Sequence, residues 1–317
     1  MAFTGHVLPH SAAEAASSSA ALSVVADAIM EHGLVVLPPA ASGEGNKGQS
    51  LLPPAELISL VRQLSMATGG KGELMPVISD IESACPPTNP PHCALILTNI
   101  RHGTPAAASV GPRYQGSASL NGYIGSPPGR AAVWHQDEQF RARPAHLTAL
   151  YCVRTPADGL ADTTFADSAR GYTRLLPAVQ EHIARLHGRH SLANIPLLDG
   201  GDPRSRPDHS VATHPLVLDP PRGKRCIYLG SIGADVIDSD GNALGSAQAK
   251  ALLHALFASI EESGVYTHRW RVGECLIMDN RRVLHTASGR DYSHDERLMV
   301  RVQSREPLPY EAIRAKM

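Results

Sequence analysis

The chain has 317 residues, with 29 Lys and Arg against 30 Asp and Glu and a formal net charge of -1. That balance gives no global field for nucleic acid or an anionic membrane surface, so neither is expected as a partner. The five cysteines are odd in number, widely spaced and without a C-x-x-C pair, which excludes a disulfide framework and a cysteine zinc site and fits reduced thiols in a cytoplasmic protein.

Residues 1–20 are Ala- and Ser-rich, with no basic n-region or continuous apolar h-region, and read as a flexible arm, not a signal peptide. Nowhere is there an apolar run of about 18 residues, so no membrane span is expected. Residues 21–32 have helical periodicity that stops at Gly33, and Leu34-Val-Val-Leu37 reads as a buried strand ended by Pro38-Pro39. A Gly/Ser/Pro-rich loop over 40–54 leads to a second helix over 56–68. Residues 83–91 are Pro-rich and irregular, and 94–98 form a strand.

Residues 101–130 carry many Gly, Pro and Ser and little periodicity. A loop of that length in a compact domain is usually functional. Because it runs straight into His135, it is expected to be a lid over an active site. A core strand follows over 147–153, then one helix over 167–186 with Asp167 or Ser168 as N-cap. Short strands at 214–218 and 226–229 flank Pro220-Pro221-Arg222-Gly223 as a hairpin. Residues 246–263 form an amphipathic helix with Leu252, Leu253, Leu256, Phe257 and Ile260 on one face. Strands are expected at 266–271, 274–279 and 297–303. Many short strands, few helices and no βαβ rhythm predict a mixed, mainly β fold, a barrel or sandwich with helices outside, as a single domain over 21–317.

Candidate metal ligands stand far apart in this chain. His135 and Asp137 lie in Trp134-His-Gln-Asp-Glu-Gln-Phe140, and His285 closes Met278-Asp-Asn-Arg-Arg-Val-Leu-His285. With 16 His in the chain, about one His-x-Asp is expected by chance, so context decides. A strand end puts residues i and i+2 on one face, which lets His135 and Asp137 converge on an ion while Gln136 points away. Taken alone, the alternative is a surface His and an Asp turn cap. Two imidazoles and a carboxylate on one side of a metal form the facial triad of non-haem Fe(II) oxygenases. Arg297 and Arg301 are four apart in a strand-like segment and share a face. They are either exposed, or they face inward and meet an anion such as an oxoacid carboxylate.

These motifs resemble the taurine dioxygenase / chlorophenoxyacetate dioxygenase family of Fe(II)- and 2-oxoglutarate-dependent oxygenases. The likeness spans about residues 22–304: Glu31-His-Gly-Leu-Val-Val-Leu-Pro38, Trp134-His-Gln-Asp137, Pro156-Ala-Asp-Gly-Leu-Ala-Asp-Thr-Thr-Phe-Ala-Asp167, and His268-Arg-Trp-Arg-Val-Gly-Glu274 through His285. The resemblance implies His135, Asp137 and His285 as iron ligands. It implies Arg297 with Thr163 at the distal carboxylate of 2-oxoglutarate, Thr164 replacing Thr163 if the alignment slips by one. It places Arg301 at the substrate anion, and it implies a double-stranded β-helix, a jelly roll with flanking α-helices.

The implied activity is hydroxylation, or another oxidation, of a C–H bond in a small anionic or zwitterionic molecule, with O2 as co-substrate and succinate and CO2 released. Desaturation or cyclisation would use the same ligands, whereas Asp137 stands where a halogenase leaves room for halide. Glu138 departs from the family, which has a small or apolar residue there; if it faces the pocket it suits a substrate amine. A zinc hydrolase built on the same ligands has no use for inward arginines. A non-catalytic jelly-roll binding module is the alternative from another class. The partner expected is the small-molecule substrate; a homo-oligomer remains open.

Overall fold

The computed structural model describes residues 3–41, 51–75, 94–98 (backbone), 134–156, 162–191, 210–220, 222–230, 234–287 and 297–306. The expected lid over 101–130 lies outside the described residues. In chain order the elements are β1 (His6–Val7), α1 (Ala12–Ser17), α2 (Ser19–His32), β2 (Leu34–Leu37), α3 (Pro54–Ala67), β3 (Ala94–Thr98), β4 (Ala145–Arg154) and β5 (Thr163–Asp167). Then come α4 (Ser168–Arg174), α5 (Pro177–Ile183), β6 (His187–Ser191), β7 (Val211–Pro215), β8 (Val217–Leu218), β9 (Cys226–Ile227) and β10 (Ala234–Ile237). The last are α6 (Ser246–Glu262), β11 (Val265–His268), β12 (Cys275–Asp279), β13 (Val283–Ala287) and β14 (Leu298–Arg305). The result is a sheet-rich, mixed fold.

The main sheet runs β1-β2-β12-β4-β14-β3, and a smaller one runs β11-β5-β13. Period-two alternation sorts the main sheet's side chains into two cores. Val35, Leu37, Leu147, Ala149, Cys275, Ile277, Val300 and Val302 pack under α1, α2 and α3. Leu34, Val36, Leu150, Cys152, Leu276, Met278 and Met299 face inward, against Phe165 of β5 and Val283 of β13. The other side of the smaller sheet, through Ala166 and Leu284, is covered by Tyr172, Ile183, Leu256 and Ile260 from α4, α5 and α6. Alternation on β4 and β14 also sends Thr148, Arg301 and Gln303 to the inner face, where the apolar stripe gives way to polar groups.

Two expectations need correction. Residues 3–18 are no loose arm. Phe3 is buried, β1 pairs in parallel with β2, and α1 carries a capping box between Ser11 and Glu14 and buries Ala12 and Ala15. Small side chains that look like low-complexity linker in sequence let this helix pack closely. The single helix over 167–186 is two helices, α4 and α5. Leu175 and Leu176 take extended backbone (ψ 144° and 146°); Leu176 stands directly before Pro177, and a residue before proline is driven out of the α region. Asp167 does cap α4, accepting from the Ala169 amide. Gly33 ends α2 with φ 78°, a left-handed conformation glycine adopts without strain. Among the described residues no helix is long and apolar enough to cross a membrane.

Candidate metal centre

The site lies where β13 meets the segment before β4. His135 and His285 form an antiparallel bridge, each backbone amide donating to the other's carbonyl at 3.1 and 2.9 Å. Their rings stand 4.3 Å apart between centroids. Oδ1 of Asp137 lies 3.8 Å from Nε2 of His135 and 3.6 Å from Nε2 of His285. One ligand atom from each of the three residues lies within 4.8 Å of the others, and among the described residues this is the one such group of His, Cys, Asp or Glu.

The protonation states suit a cation. Burial pushes the His285 imidazole down to about 3, with His135 and Arg301 adding to the effect and Asp137 opposing it. The ring is therefore neutral at physiological pH, with a lone pair available. Burial also opposes ionisation of Asp137, but Arg301, the two imidazoles and Gln303 outweigh it and hold the carboxyl below its ordinary range. A carboxylate and two imidazoles are the donor set of the facial triad, so the residues present fit a divalent iron.

The turn carrying Asp137 is clamped from the β12–β13 turn. Asn280 accepts from the Asp137 amide at 3.0 Å and donates to the Asp137 carbonyl at 3.0 Å. Gln136 points away from the ion site, as expected, and donates to the Arg281 carbonyl at 2.7 Å. The next residue, Glu138, has φ 61°, a left-handed conformation uncommon for a non-glycine residue.

The family model for "Taurine catabolism dioxygenase TauD, TfdA family" matches residues 15–303. The chain belongs to this family. Among curated relatives, an alpha-ketoglutarate-dependent sulfonate dioxygenase of Saccharomyces cerevisiae is 31% identical over 161 residues, 49% of this chain and 37% of that one. An alpha-ketoglutarate-dependent 2,4-dichlorophenoxyacetate dioxygenase of Cupriavidus pinatubonensis is 28% identical over 189 residues, 56% of this chain and 64% of that one. The matched stretches thus span less than two thirds of either relative. A taurine dioxygenase structure from Burkholderia xenovorans superposes with a TM-score of 0.59 at 16% identity, covering 91% of this chain and 82% of that one, which shows a shared fold.

The remaining expected residues of this TauD/TfdA-family chain fall as follows. Thr163 begins β5, buried, and its Oγ1 accepts from Trp270 Nε1 at 3.0 Å. Thr164, the neighbour, faces the other way and meets Thr267 Oγ1 at 3.1 Å. Arg297 is buried just before β14. Burial pushes the Cys152 thiol up to about 12 although Arg297 pulls it down, so Cys152 stays neutral. Arg301 keeps 20% of its side chain exposed and puts Nη1 3.4 Å from Oδ2 of Asp137. Glu138, which would suit a substrate amine if it faced the pocket, accepts from Arg141 Nε at 2.6 Å. The i to i+3 spacing within the turn brings that guanidinium back onto the carboxylate, so its charge is already compensated.

Sequence reasoning missed Asn280 as a clamp on the ligand turn, and it missed Gln303, whose Nε2 donates to Oδ2 of Asp137 at 2.8 Å. The only sequence signal for Gln303 was parity: it lies two residues from Arg301 and shares its face.

Proposed function

We propose that the protein is an Fe(II)- and 2-oxoglutarate-dependent dioxygenase that oxidises a C–H bond of a small anionic molecule. The convergence of His135, Asp137 and His285 within 4.8 Å carries this reading. When bound, iron together with 2-oxoglutarate and O2 supplies the oxidising power, with succinate and CO2 as co-products.

The chain's own residues have separable duties. His135, Asp137 and His285 hold the metal. Arg297, a buried cation at the start of β14, and Thr163 take the distal carboxylate of 2-oxoglutarate. Because Thr163 Oγ1 already accepts from Trp270, its own proton is left to donate to that carboxylate. Arg301, partly exposed beside the triad, takes the substrate's anionic group, and pairing of Glu138 with Arg141 leaves no uncompensated carboxylate there to favour an amine. The names of the two curated relatives, a sulfonate and an aryloxyacetate dioxygenase, agree with an anionic substrate. The apolar inner face around Phe165, Leu150 and Met299 keeps water from the buried side of the site. We also propose that the main and smaller sheets are the two halves of a double-stranded β-helix, and that the protein works in the cytoplasm.

The test is anaerobic titration with Fe(II) and 2-oxoglutarate, read by the weak visible charge-transfer band of the chelate. A succinate-release screen against sulfonates, aryloxy acids and amino acids follows. A band with a 1:1 end point and substrate-dependent succinate support the reading; no band overturns it.

A further inference from the structure

Gln303 sits on the inner face of β14, buried, two residues beyond Arg301. Its Nε2 donates to Oδ2 of Asp137 at 2.8 Å and to Oγ1 of Thr148 at 2.9 Å. Thr148 is its direct cross-strand neighbour on β4 and is fully buried. These two bonds fix the orientation of the amide, since its carbonyl oxygen in that place would face a carboxylate oxygen. The two oxygens of Asp137 thereby differ. Oδ1 faces both imidazole Nε2 atoms, at 3.8 and 3.6 Å, and Oδ2 is turned to Gln303 and, at the longer distance of 3.4 Å, to Arg301.

We propose that Gln303 is a positioning residue that reserves Oδ1 of Asp137 as the ligand atom and keeps the carboxylate from offering both oxygens to the metal. The inference rests on the iron reading above. Its force comes from the contrast between the two donors to Oδ2. Arg301 is partly exposed and is the group assigned to the substrate anion, so its hold on Asp137 competes with substrate. Gln303 is neutral, buried and tied to Thr148, so its hold does not change when substrate arrives. Groups that orient a metal ligand in this way typically change metal affinity about 10- to 100-fold when removed.

The experiment titrates metal-free protein with Co(II) and follows the visible bands, which report the coordination of the ion. Gln303→Met keeps the length of the side chain and removes both donors. The expected result is a Co(II) dissociation constant raised about 10- to 100-fold, with shifted bands as Asp137 turns. Its thermal midpoint should stay close to that of the parent protein. If a folded Gln303→Met protein binds Co(II) within about threefold of the parent, or with unchanged bands, the assignment of Gln303 is overturned while the iron reading stands. If the parent takes up no Co(II), both are overturned. Should Gln303→Met not fold, Thr148→Val decides, since it removes the other anchor of the amide. A few-fold weaker affinity with the same band shift supports the proposal, and parent-like binding overturns it.

Discussion

His135 and His285 lie 150 positions apart in the chain yet exchange both of their backbone hydrogen bonds, at 3.1 and 2.9 Å. The two imidazoles therefore start from one rigid two-residue ladder, and their spacing does not depend on side-chain rotamers alone. Asp137 completes the set because the turn after His135 is held by Asn280 from the strand-to-strand turn that leads to His285. One stretch, Asp279 to His285, thus both supplies one candidate ligand and positions the other two.

From this follows the first prediction. His135→Ala or His285→Ala should abolish Fe(II) binding and turnover while the protein stays folded, because the bridge between them is made by backbone. Metal content after anaerobic loading, together with a urea melt, checks both halves. Full oxygen consumption by either variant would show that the ion is held elsewhere.

Arg297→Ala should raise the apparent KM for 2-oxoglutarate tenfold or more, since a charge-assisted contact contributes about 1.5–3 kcal/mol. Arg297→Lys should recover only part, because an ammonium cannot match the planar fork of a guanidinium. Steady-state kinetics at saturating substrate decide it. An unchanged KM in Arg297→Ala moves the role to another cation, Arg301 being the first to examine.

Much of this was legible in sequence, and unevenly so for physical reasons. Leu34–Leu37 and Cys275-Leu-Ile-Met278 announce themselves because they are buried on both faces and so are continuously apolar. β5 and β13 read poorly because polar Thr163 and His285 stand among their inward positions and interrupt the apolar alternation. The convergence of His135 and Asp137 was readable from i, i+2 parity. Asn280 and Gln303 were not, because their partners lie 143 and 166 positions away in the chain and no local spacing encodes such a pairing.

Arg282 and Asp167 join the two sheets' connecting segments by a bidentate ion pair, with Nε to Oδ1 at 2.8 Å and Nη2 to Oδ2 at 2.6 Å, both side chains buried. Arg282 also donates to the Glu31 carbonyl at 3.1 Å, tying in the end of α2. Arg282→Ala strands a buried carboxylate and should cost about 3–5 kcal/mol of stability. The urea midpoint should fall accordingly. A loss below about 1 kcal/mol would mean that the Asp167 carboxylate finds another donor.

Stability should also fall with acid, and the histidines away from the metal centre set the window. Burial, helped by His214, pushes His190 down to about 3, and burial, helped by Arg281, pushes His146 to about 3. Burial pushes His214 to about 4 against the pull of two backbone carbonyls. Each folded-state value is below the unfolded value of about 6.5, so between them the unfolded chain binds more protons. The stability these neutral rings allow is present in full above about pH 6.5 and is lost as pH falls toward about 4 for His214 and about 3 for His190 and His146, by up to about 1.4 kcal/mol per pH unit for each ring. His190 offers a clean test, because neither of its ring nitrogens has a hydrogen-bond partner among the described residues. His190→Leu removes a titrating group without orphaning another, so its urea midpoint should fall less steeply between pH 6.5 and 4 than that of the parent protein. At pH 5 the variant should be the more stable of the two. Parallel curves for the two proteins would mean that His190 does not resist protonation in the folded state.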